Sequence, residues 1–493
     1  MEQDYKQLFV GGDLSGIQKF LYNISSKKAA VSLKGRSYYL QQYMLNVCSK
    51  VVEAVKTVGA EETEVIYNSG GKFYILTQNS DAIRQAIDSC TKIAQKELWQ
   101  EHMGQLGICI SYVPFDEHPD GSVDAGGQKN LTPGILWKTA NAQFHRQKSQ
   151  KYQDVLLSEY DSFFNPIAVG GQTKVCAVTG IESTDCVKIE DDLYVLPSVK
   201  QQIQLGEVLR NQEHFKPIEK YVDNTKLGIL RMDVDGLGKR FVVGFKSIQE
   251  YKAFSKRLVD FFEKETMMIQ KEDEFFEYVN IIYAGGDDLF VVGRWDKVVD
   301  FAERIHKEVD SRFSKDGITI SGGMSIVNPK FPISKAAELA GNAEDSAKRY
   351  HSDKYGDKNA FCIFGKTVSW NEELDMIKYY RDRFITLIEK YNLSKSILHK
   401  IMLYSSIADQ NVVRRKEGKT EDFSYIWHVS YYLTRYMNKY KSKDGNNDEV
   451  CSFCRQLRDK DIDYKNGRKL EQIALAARWA ELLLKDNDNR ITK

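Results

Sequence analysis

Only 8 of the 493 residues are proline, and no apolar run reaches the roughly 18 residues that a membrane-spanning helix needs. These two shortages exclude long proline-rich linkers and predict a chain without a membrane span. Residues 1–6 lack a basic segment followed by an apolar one, so a secretory signal is not expected. The 8 cysteines are scattered, and we therefore expect a cytoplasmic protein with reduced thiols.

Neither sign of charge is in excess. Lys and Arg total 70 and Asp and Glu total 69, which leaves a formal net charge of +1. This balance excludes a protein that coats nucleic acid through an overall basic surface, although local basic patches such as the one around Lys34 and Arg36 remain open. Hydrophobic residues make up 42% of the chain, enough for sizeable cores, and the length predicts roughly three domains.

A duplication is the most informative feature of the sequence. Residues 8–20 (LFVGGDLSGIQKF) and 229–241 (ILRMDVDGLGKRF) each contain a short apolar strand that ends in Asp-x-(Ser/Asp)-Gly. Residues 65–76 (VIYNSGGKFYIL) and 280–291 (NIIYAGGDDLFV) each predict two strands joined by a Gly-Gly turn. The motifs recur in the same order at nearly the same spacing if Gly70 is equated with Gly285, which indicates two copies of one domain.

Apolar residues at helical spacing lie between and after these motifs. They predict helices over 36–57, 81–98, 246–270 and 297–312, followed in each copy by a last strand at 107–111 or 318–321. The resulting order is β-α-β-β-α-β twice, and we predict an α+β protein with two ferredoxin-like domains. The predicted domains are the first copy at 1–154, a small connector at 155–225, the second copy at 226–371 and a C-terminal helical domain at 372–493.

Carboxylates concentrate in the second copy. The segments Asp233-Val234-Asp235-Gly236 and Gly285-Gly286-Asp287-Asp288 become neighbours on adjacent strands of the predicted sheet, which gathers up to four carboxylates at one edge. Clustered carboxylates repel one another unless a cation joins them, and Mg²⁺ prefers a few carboxylates together with phosphate oxygens. We predict two Mg²⁺ or Mn²⁺ ions there, rather than a solvated acidic turn, with the glycines allowing close approach of phosphate.

The first copy keeps only part of this pattern. Asp13 persists, Ser15 takes the place of Asp235, and Ser69-Gly70-Gly71-Lys72 replaces the acidic turn. One carboxylate does not hold two divalent ions, so this copy is predicted to be chemically silent. It either cradles a nucleotide with Lys72 and backbone amides or serves only as a scaffold.

Two further features are weaker. Lys348 ends the helix that follows the last strand of the second copy, where it is suited either to a triphosphate or to a solvated helix face. Cys176 and Cys186 lack partners at metal spacing, and Cys451 and Cys454 form a Cys-x-x-Cys without a second pair. Because tetrahedral zinc needs four ligands, we expect no structural zinc.

These motifs resemble the large subunit of type III CRISPR effector complexes. The segments Gly12-Asp13-Leu14-Ser15-Gly16-Ile17-Gln18 and Lys34-Gly35-Arg36-Ser37-Tyr38-Tyr39-Leu40 are similar to its first palm domain. Segments 233–238 and 285–288 are similar to its second palm, and the likeness covers roughly residues 8–365. It is closer to the Csm-type branch than to the Cmr-type branch.

The resemblance implies an enzyme that makes cyclic oligoadenylates from ATP when guide RNA pairs with target RNA in the assembled complex. It implies that Asp233, Asp287 and Asp288 hold the metals and that Gly285 and Gly286 shape the acceptor site. It also implies that a second ATP binds at residues 69–71, and that Lys348 contacts the triphosphate. Many family members begin with a His-Asp nuclease domain. The first copy begins by residue 8 and no His-Asp dipeptide occurs, so single-stranded DNA nuclease activity is not expected.

Two other functions stay open at this point. One is a non-catalytic scaffold in a guide-RNA complex, against which the intact acidic site of the second copy argues. The other is a stand-alone cyclic dinucleotide synthase of the diguanylate-cyclase type. Two features argue against this function: the duplicated domain, and Asp288 at the fourth motif position, where that class has Glu. Ring size, linkage and oligomeric state do not follow from the sequence.

Overall fold

The computed structural model describes residues 5–24, 28–102, 104–158, 160, 173–190, 192–213, 215–222, 225–441, 448–462 and 468–491. The chain divides into two compact units, residues 1–345 and 346–493. This division falls inside the predicted domain 226–371, and the domain boundaries remain predictions. Among the described residues, every helix is too short or too polar to cross a lipid bilayer.

The first copy is built on an antiparallel sheet of six strands: β1 (Gln7–Ser15), β2 (Glu64–Ser69), β3 (Lys72–Gln78), β4 (Gly107–Glu117), β5 (Val123–Ala125) and β6 (Gln128–Leu131). Their order is β2-β3-β1-β4-β5-β6. The helices of this copy are α1 (Ile17–Tyr22), α2 (Ala29–Thr57), α3 (Asp81–His102), α4 (Gly134–Ser149) and α5 (Gln153–Ser158).

Helices cover both faces of this sheet. Successive side chains of a strand point to opposite sides, so neighbouring residues of β1 pack against different helices. Val10 belongs to the core beneath α2 and α3. Its neighbour Phe9 faces the other way and packs against Trp137 of α4, with ring centroids 4.6 Å apart. The end of β1, where Asp13 lies, is thereby fixed between two helical layers.

The connector follows α5, and its described residues form four short strands, one α-helix and a 3₁₀ turn (Ile218–Tyr221). The strands and the α-helix are β7 (Lys174–Val175), β8 (Glu182–Ser183), β9 (Val187–Glu190), β10 (Leu193–Val195) and α6 (Pro197–Glu213). Helix α6 packs closely on α2, since a Cβ at Gly35 would come within 1.8 Å of the Gln202 carbonyl oxygen. The same contact buries Arg36, which donates hydrogen bonds to Gln202 and to the carbonyl oxygen of Phe20. Arg36 is thus a core residue, and its interpretation as part of a basic surface patch was wrong.

The second copy repeats the sheet with strands β11 (Leu227–Asp235), β12 (Val279–Gly285), β13 (Asp288–Arg294) and β14 (Thr319–Val327), in the order β12-β13-β11-β14. Its helices are α7 (Leu237–Val243), α8 (Ile248–Asp260), a π-helical turn (Phe261–Glu265), α9 (Thr266–Gln270), α10 (Asp273–Phe276), α11 (Trp295–Phe313) and α12 (Ile333–Lys348). The predicted mixed fold and both predicted hairpins are confirmed. Three of the four predicted helices extend beyond their predicted bounds, and the one predicted over 246–270 consists of α8, the π-helical turn and α9.

The two copies pack reciprocally within the first unit. Helix α2 of the first copy contacts β12, and α8 of the second copy contacts β2. Aromatic rings close the interface, as Trp137 and Tyr251 have centroids 3.8 Å apart. This reciprocal packing places the two Gly-Gly hairpin turns against each other.

The second unit is mainly helical. It begins with the small hairpins β15 (His351–Ser352) with β16 (Gly356–Asp357) and β17 (Ala360–Ile363) with β18 (Lys366–Ser369). Its described residues then form a π-helical turn (Leu457–Asp461) and five α-helices: α13 (Glu372–Tyr391), α14 (Ser396–Lys416), α15 (Ser424–Lys441), α16 (Asp448–Gln456) and α17 (Arg468–Ile491). The buried Glu373 joins α13 to α17 by accepting hydrogen bonds from Arg468 and Gln472. The described part of 372–493 thus has the helical character that the sequence predicts.

Candidate metal and nucleotide site

The end of β11 and the turn between β12 and β13 bring three carboxylates together. Asp233 lies directly opposite Asp288 in the pairing of β11 with β13. One carboxylate oxygen from each of Asp233, Asp287 and Asp288 lies within 4.8 Å of the others, and all three residues are half-buried. Such a set of oxygen donors fits Mg²⁺ or Mn²⁺. In the described ranges, this is the only group of three or more acidic, His or Cys side chains gathered so closely.

The fourth carboxylate of the motif has different neighbours. Asp235 is buried and accepts hydrogen bonds from Thr319 Oγ1 at 2.9 Å and Ser321 Oγ at 2.8 Å. It therefore ties β11 to β14 and is not one of the three clustered carboxylates. The backbone N–H of Val234 donates to the carbonyl oxygen of Asp287 at 3.1 Å, which holds the acidic turn against β11. The predicted contacts of 234–236 with nucleotide stay predictions.

Electrostatics make the metal-free cluster unfavourable. Burial raises the pKa of Asp288 above its ordinary value of 3.8, a hydrogen bond with Asp233 opposes that rise, and the charge of Asp287 adds to it. Burial also raises the pKa of Tyr67 and Tyr283 well above the usual range, and the nearby aspartates raise it further. These phenols stay protonated and add no negative charge to the cluster.

One buried ion pair lies next to this cluster in sequence. Arg231 Nε is 3.0 Å from a carboxylate oxygen of Glu344 on α12. Arg231 precedes Asp233 by two residues and so shares its face of β11. Its positive charge lowers the pKa of Asp288, although not enough to offset burial.

Strand register defines which residues of the first copy correspond to the acidic turn. Asp13 lies opposite Lys72, as Asp233 lies opposite Asp288. Residues 69–72 therefore correspond to residues 285–288, and Gly70 matches Gly286. The sequence comparison that equated Gly70 with Gly285 was wrong by one residue, because it matched the two Gly-Gly pairs to each other, whereas strand pairing places Ser69 opposite Lys72 and Gly285 opposite Asp288. Gly71 and Lys72 stand where the second copy has its two aspartates.

The remaining carboxylate of the first copy is already neutralised. Asp13 is 6% exposed, and its Oδ2 lies 2.7 Å from Lys148 Nζ on α4. The first copy thus has a lysine ammonium beside its single aspartate, which fits the prediction of a chemically silent copy. Lys72 lies opposite Asp13 on the neighbouring strand, and its predicted phosphate contact stays a prediction.

The two Gly-Gly turns touch. A Cβ at Gly70 would lie 3.0 Å from the Cα of Gly286, and both glycines have positive φ angles of 60° and 66°. The Ser69 hydroxyl accepts a hydrogen bond from the Gly286 N–H at 2.9 Å. Beside this contact is a cavity of about 100 Å³ whose lining includes Ser69, Gly70, Gly71 and Gly285. The structure thereby brings together residues that the sequence assigned to two different ATP molecules.

Lys348 is the last residue of α12 and falls in the second unit. It lies four residues after Glu344, the partner of Arg231. Lys148 lies four residues after Phe144, which packs on Gly11, the first-copy equivalent of Arg231. Lys348 is therefore the second-copy counterpart of Lys148.

Sequence reasoning missed several residues around the site. Arg231 had a visible signal, since a charged residue inside an apolar strand needs a buried partner. Lys148 and Glu263 had none, because each reaches the site from a helix far away in sequence. The carboxylate of Glu263 accepts a hydrogen bond from Ser69 Oγ at 2.5 Å.

Comparisons with known proteins agree with this architecture. The family model described as Csm1 subunit domain B matches residues 6–166, and that described as Cas10/Cmr2, second palm domain, matches residues 226–362. The chain is 27% identical over 484 residues to the CRISPR system single-strand-specific deoxyribonuclease Cas10/Csm1 (subtype III-A) of Enterococcus italicus. That alignment covers 83% of this chain and 61% of the relative. The chain spans about three fifths of the length of the curated relatives it matches.

Solved structures share the fold at low sequence identity. A Csm1-Csm4 cassette in complex with cA3 aligns with a TM-score of 0.63 and 18% identity, and one in complex with one ATP aligns with 0.61 and 17%. Each alignment covers 96% of this chain and 70% of the other.

The duplicated sheets, the acidic turn and the palm-domain match make this chain similar to the large subunits of type III CRISPR complexes. The matched models and relatives are of the Cas10/Csm1 type, the large subunit of Csm-type complexes.

Proposed function

We propose that this chain converts ATP into cyclic oligoadenylates with the acidic site of its second copy. The observation that carries the proposal is the asymmetry between the copies: three clustered carboxylates in the second, and Gly71, Lys72 and a lysine-paired Asp13 in the first. Cassettes of similar fold have been solved with one ATP and with cA3, which supports adenine nucleotides as the class of substrate and product.

In this proposal each copy is a ferredoxin-like palm. The strand orders β2-β3-β1-β4 and β12-β13-β11-β14 support that interpretation. The palms occupy 1–154 and 226–371, with a connector at 155–225 and a helical domain at 372–493.

Asp233, Asp287 and Asp288 would hold two divalent ions, Mg²⁺ or Mn²⁺. When bound, such ions neutralise phosphate charge and stabilise the attacking and leaving oxygens of an in-line displacement. The chain itself supplies a rigid turn, because the Val234 N–H holds the Asp287 carbonyl. Gly285 and Gly286 leave space for phosphate close to the backbone.

Two ATP molecules would lie between the copies, one at the acidic turn and one at residues 69–71. The 3′-hydroxyl of one attacks the α-phosphate of the other, a phosphodiester bond forms and pyrophosphate leaves. Lys348 is proposed to contact the triphosphate, as its counterpart Lys148 binds an anionic group in the first copy.

We propose guide RNA and target RNA as partners, bound through other subunits of a type III-A complex. The Csm1-Csm4 subcomplex of the type III-A interference complex has a similar fold, which supports assembly with such subunits. The matched relatives of the Cas10/Csm1 type are named as single-strand-specific deoxyribonucleases. We propose that this chain lacks that activity, since its sequence contains no His-Asp dipeptide.

The test is to incubate the chain, assembled with partner subunits, guide RNA and target RNA, with Mg²⁺ and either ATP or GTP. We expect cyclic oligoadenylate from ATP alone. The double variant Asp287→Ala/Asp288→Ala should make none, whereas Asp273→Ala/Glu274→Ala, an exposed acidic pair in the same copy, should match the unmodified chain. Full product from the Asp287/Asp288 variant would refute the site, and an assembled complex that makes no product would favour the scaffold role.

A further inference from the structure

The Ser69 hydroxyl connects the two copies. Its oxygen accepts a hydrogen bond from the Gly286 N–H at 2.9 Å and donates one to Glu263 Oε1 at 2.5 Å. Ser69 is buried, with 7% of its surface exposed. Because the donor and one acceptor position of this hydroxyl are engaged within the protein, its orientation is fixed from both sides.

The amide that Ser69 holds belongs to the acidic turn. Gly286 immediately precedes Asp287 and adopts a left-handed conformation with φ of 66°. Tyr67 crowds the same residue, since a Cβ at Gly286 would lie 2.9 Å from the phenol oxygen. The conformation of Gly286 sets the direction in which the chain enters Asp287 and Asp288. A bond to its N–H therefore constrains two of the three clustered carboxylates.

Glu263 reaches Ser69 from the π-helical turn Phe261–Glu265, between α8 and α9. Such turns are rare and appear often at functional sites. Phe261 and Phe262, the first two residues of this turn, are buried in the core and anchor it. Burial raises the pKa of Glu263, and the hydrogen bond from Ser69 opposes that rise. Glu263 lies outside the acidic cluster and lines the same cavity as Ser69 and Gly285, and its hydrogen-bonded link to the Gly286 N–H runs through Ser69.

We propose that Glu263 is a positioning residue for the acidic turn: its carboxylate holds the Ser69 hydroxyl, and that hydroxyl holds the Gly286 N–H so that Asp287 and Asp288 are placed to bind divalent cations. The inference deepens the proposed function and rests on it for its catalytic meaning. The two hydrogen bonds that run from Glu263 through Ser69 to the Gly286 N–H, called the relay below, can be tested by metal binding alone.

The experiment measures Mn²⁺ binding to the full chain by electron paramagnetic resonance, without nucleotide. We expect Ser69→Ala and Glu263→Ala each to weaken Mn²⁺ binding about tenfold, the effect of one lost hydrogen bond of ordinary strength. The double variant should bind no more weakly than either single variant, because both changes break one relay.

A conservative variant separates the relay from simple electrostatics. Glu263→Gln removes the charge but keeps an oxygen that accepts the Ser69 proton, so its Mn²⁺ affinity should stay within about threefold of the unmodified chain. The matched controls are Ser15→Ala, which removes another hydroxyl bond in the first copy, and Glu265→Ala, which removes a surface carboxylate from the same π-helical turn. Both should bind Mn²⁺ normally.

Three results would overturn the relay: unmodified Mn²⁺ affinity in a folded Glu263→Ala, additive losses in the double variant, or equal losses in Glu263→Gln and Glu263→Ala. Product formation by the assembled complex is measured separately. If the unmodified complex makes no cyclic product, the proposed function fails while the Mn²⁺ series still decides the relay. If it does, Ser69→Ala and Glu263→Ala should lower turnover about tenfold and Glu263→Gln should restore it.

Discussion

Lys148 Nζ lies 2.7 Å from Asp13 Oδ2, so in the first copy a lysine occupies the neighbourhood that a cation would take beside the equivalent Asp233. Two aspartates of the second copy are replaced by Gly71 and Lys72. The first copy therefore has a self-neutralised edge where the second copy has the proposed cation site, on the same arrangement of strand and turn. Its remaining role in the proposed mechanism is to shape the second half of the site.

Replacing Lys148 with Met should destabilise the first unit. Asp13 is buried, and loss of its partner leaves an uncompensated charge. We expect a loss of about 2 kcal/mol, less than the 3–5 kcal/mol of a fully buried pair, because Lys148 is about one third exposed. Denaturant unfolding measures the change.

The matched control is Lys50→Met, which removes a lysine paired with Glu97 at 2.9 Å on the surface of the same copy. It should cost at most about 1 kcal/mol. Adding Asp13→Asn to Lys148→Met should recover most of the loss. A stability loss no larger for Lys148→Met than for Lys50→Met would show that Asp13 does not depend on this lysine.

Asp288→Asn should stabilise the metal-free protein at neutral pH. The folded state raises the pKa of Asp288 above 3.8, so it binds this proton more tightly than the unfolded chain does. Stability from this group is present below pH 3.8 and is lost as the pH rises through the raised pKa. The amide of the Asp288→Asn variant does not ionise and so avoids that loss. We expect the melting temperature of this variant to exceed that of the unmodified chain by a few degrees at pH 7.

The two proteins should differ in their response to metal. Mn²⁺ should raise the melting temperature of the unmodified chain at pH 7 and do so less at pH 4, where protons compete for the carboxylates. The Asp288→Asn variant should gain little from Mn²⁺ at either pH. Equal gains in both proteins would place the cation elsewhere.

The duplication and the acidic motif could be predicted from the sequence because both depend on local patterns. Alternating apolar residues and Gly-Gly turns define the hairpins. Asp233 and Asp288 meet because the antiparallel pairing of β11 with β13 places the end of β11 beside the turn that precedes β13. Lys148 and Glu263 could not be predicted, since their contacts depend on how helices pack on sheets. The one-residue error at Gly70 has a similar cause: register is fixed by hydrogen bonding between strands, which spacing along the chain does not reveal.

Gly286→Ala should disrupt the site more than its backbone strain alone explains. Its φ of 66° costs a non-glycine residue about 1–2 kcal/mol, and the new Cβ would also lie 2.9 Å from the Tyr67 oxygen and 3.0 Å from the Gly70 Cα. Gly317→Ala is the matched control, with φ of 69° and no atom within 4 Å of its Cβ. Both variants should lose similar stability from strain, but Gly286→Ala alone should lose Mn²⁺ affinity in a titration. Normal affinity in Gly286→Ala would mean that the contact between the turns does not govern the cluster.

Arg468→Ala should destabilise the second unit. The Arg468 guanidinium donates to both oxygens of Glu373, at 2.9 Å each, and Glu373 is 1% exposed. Burial would raise the pKa of Glu373, but the bonds from Arg468 and the Ser369 N–H outweigh it, so the pKa lies below 4.5. This carboxylate therefore stabilises the fold above pH 4.5 and ceases to do so as the pH falls through its folded pKa.

We expect Arg468→Ala to cost about 3 kcal/mol at pH 7, the lower end for a buried pair because Arg468 is one third exposed. The cost should shrink as the pH falls through the folded pKa of Glu373, where this carboxylate becomes protonated. Arg478→Ala, which breaks an exposed pair with Glu481 on the same helix, should cost at most about 1 kcal/mol at any pH. Urea unfolding of the two variants at pH 7 and pH 4 tests both statements, and a cost for Arg468→Ala that does not change with pH would remove Glu373 from the explanation.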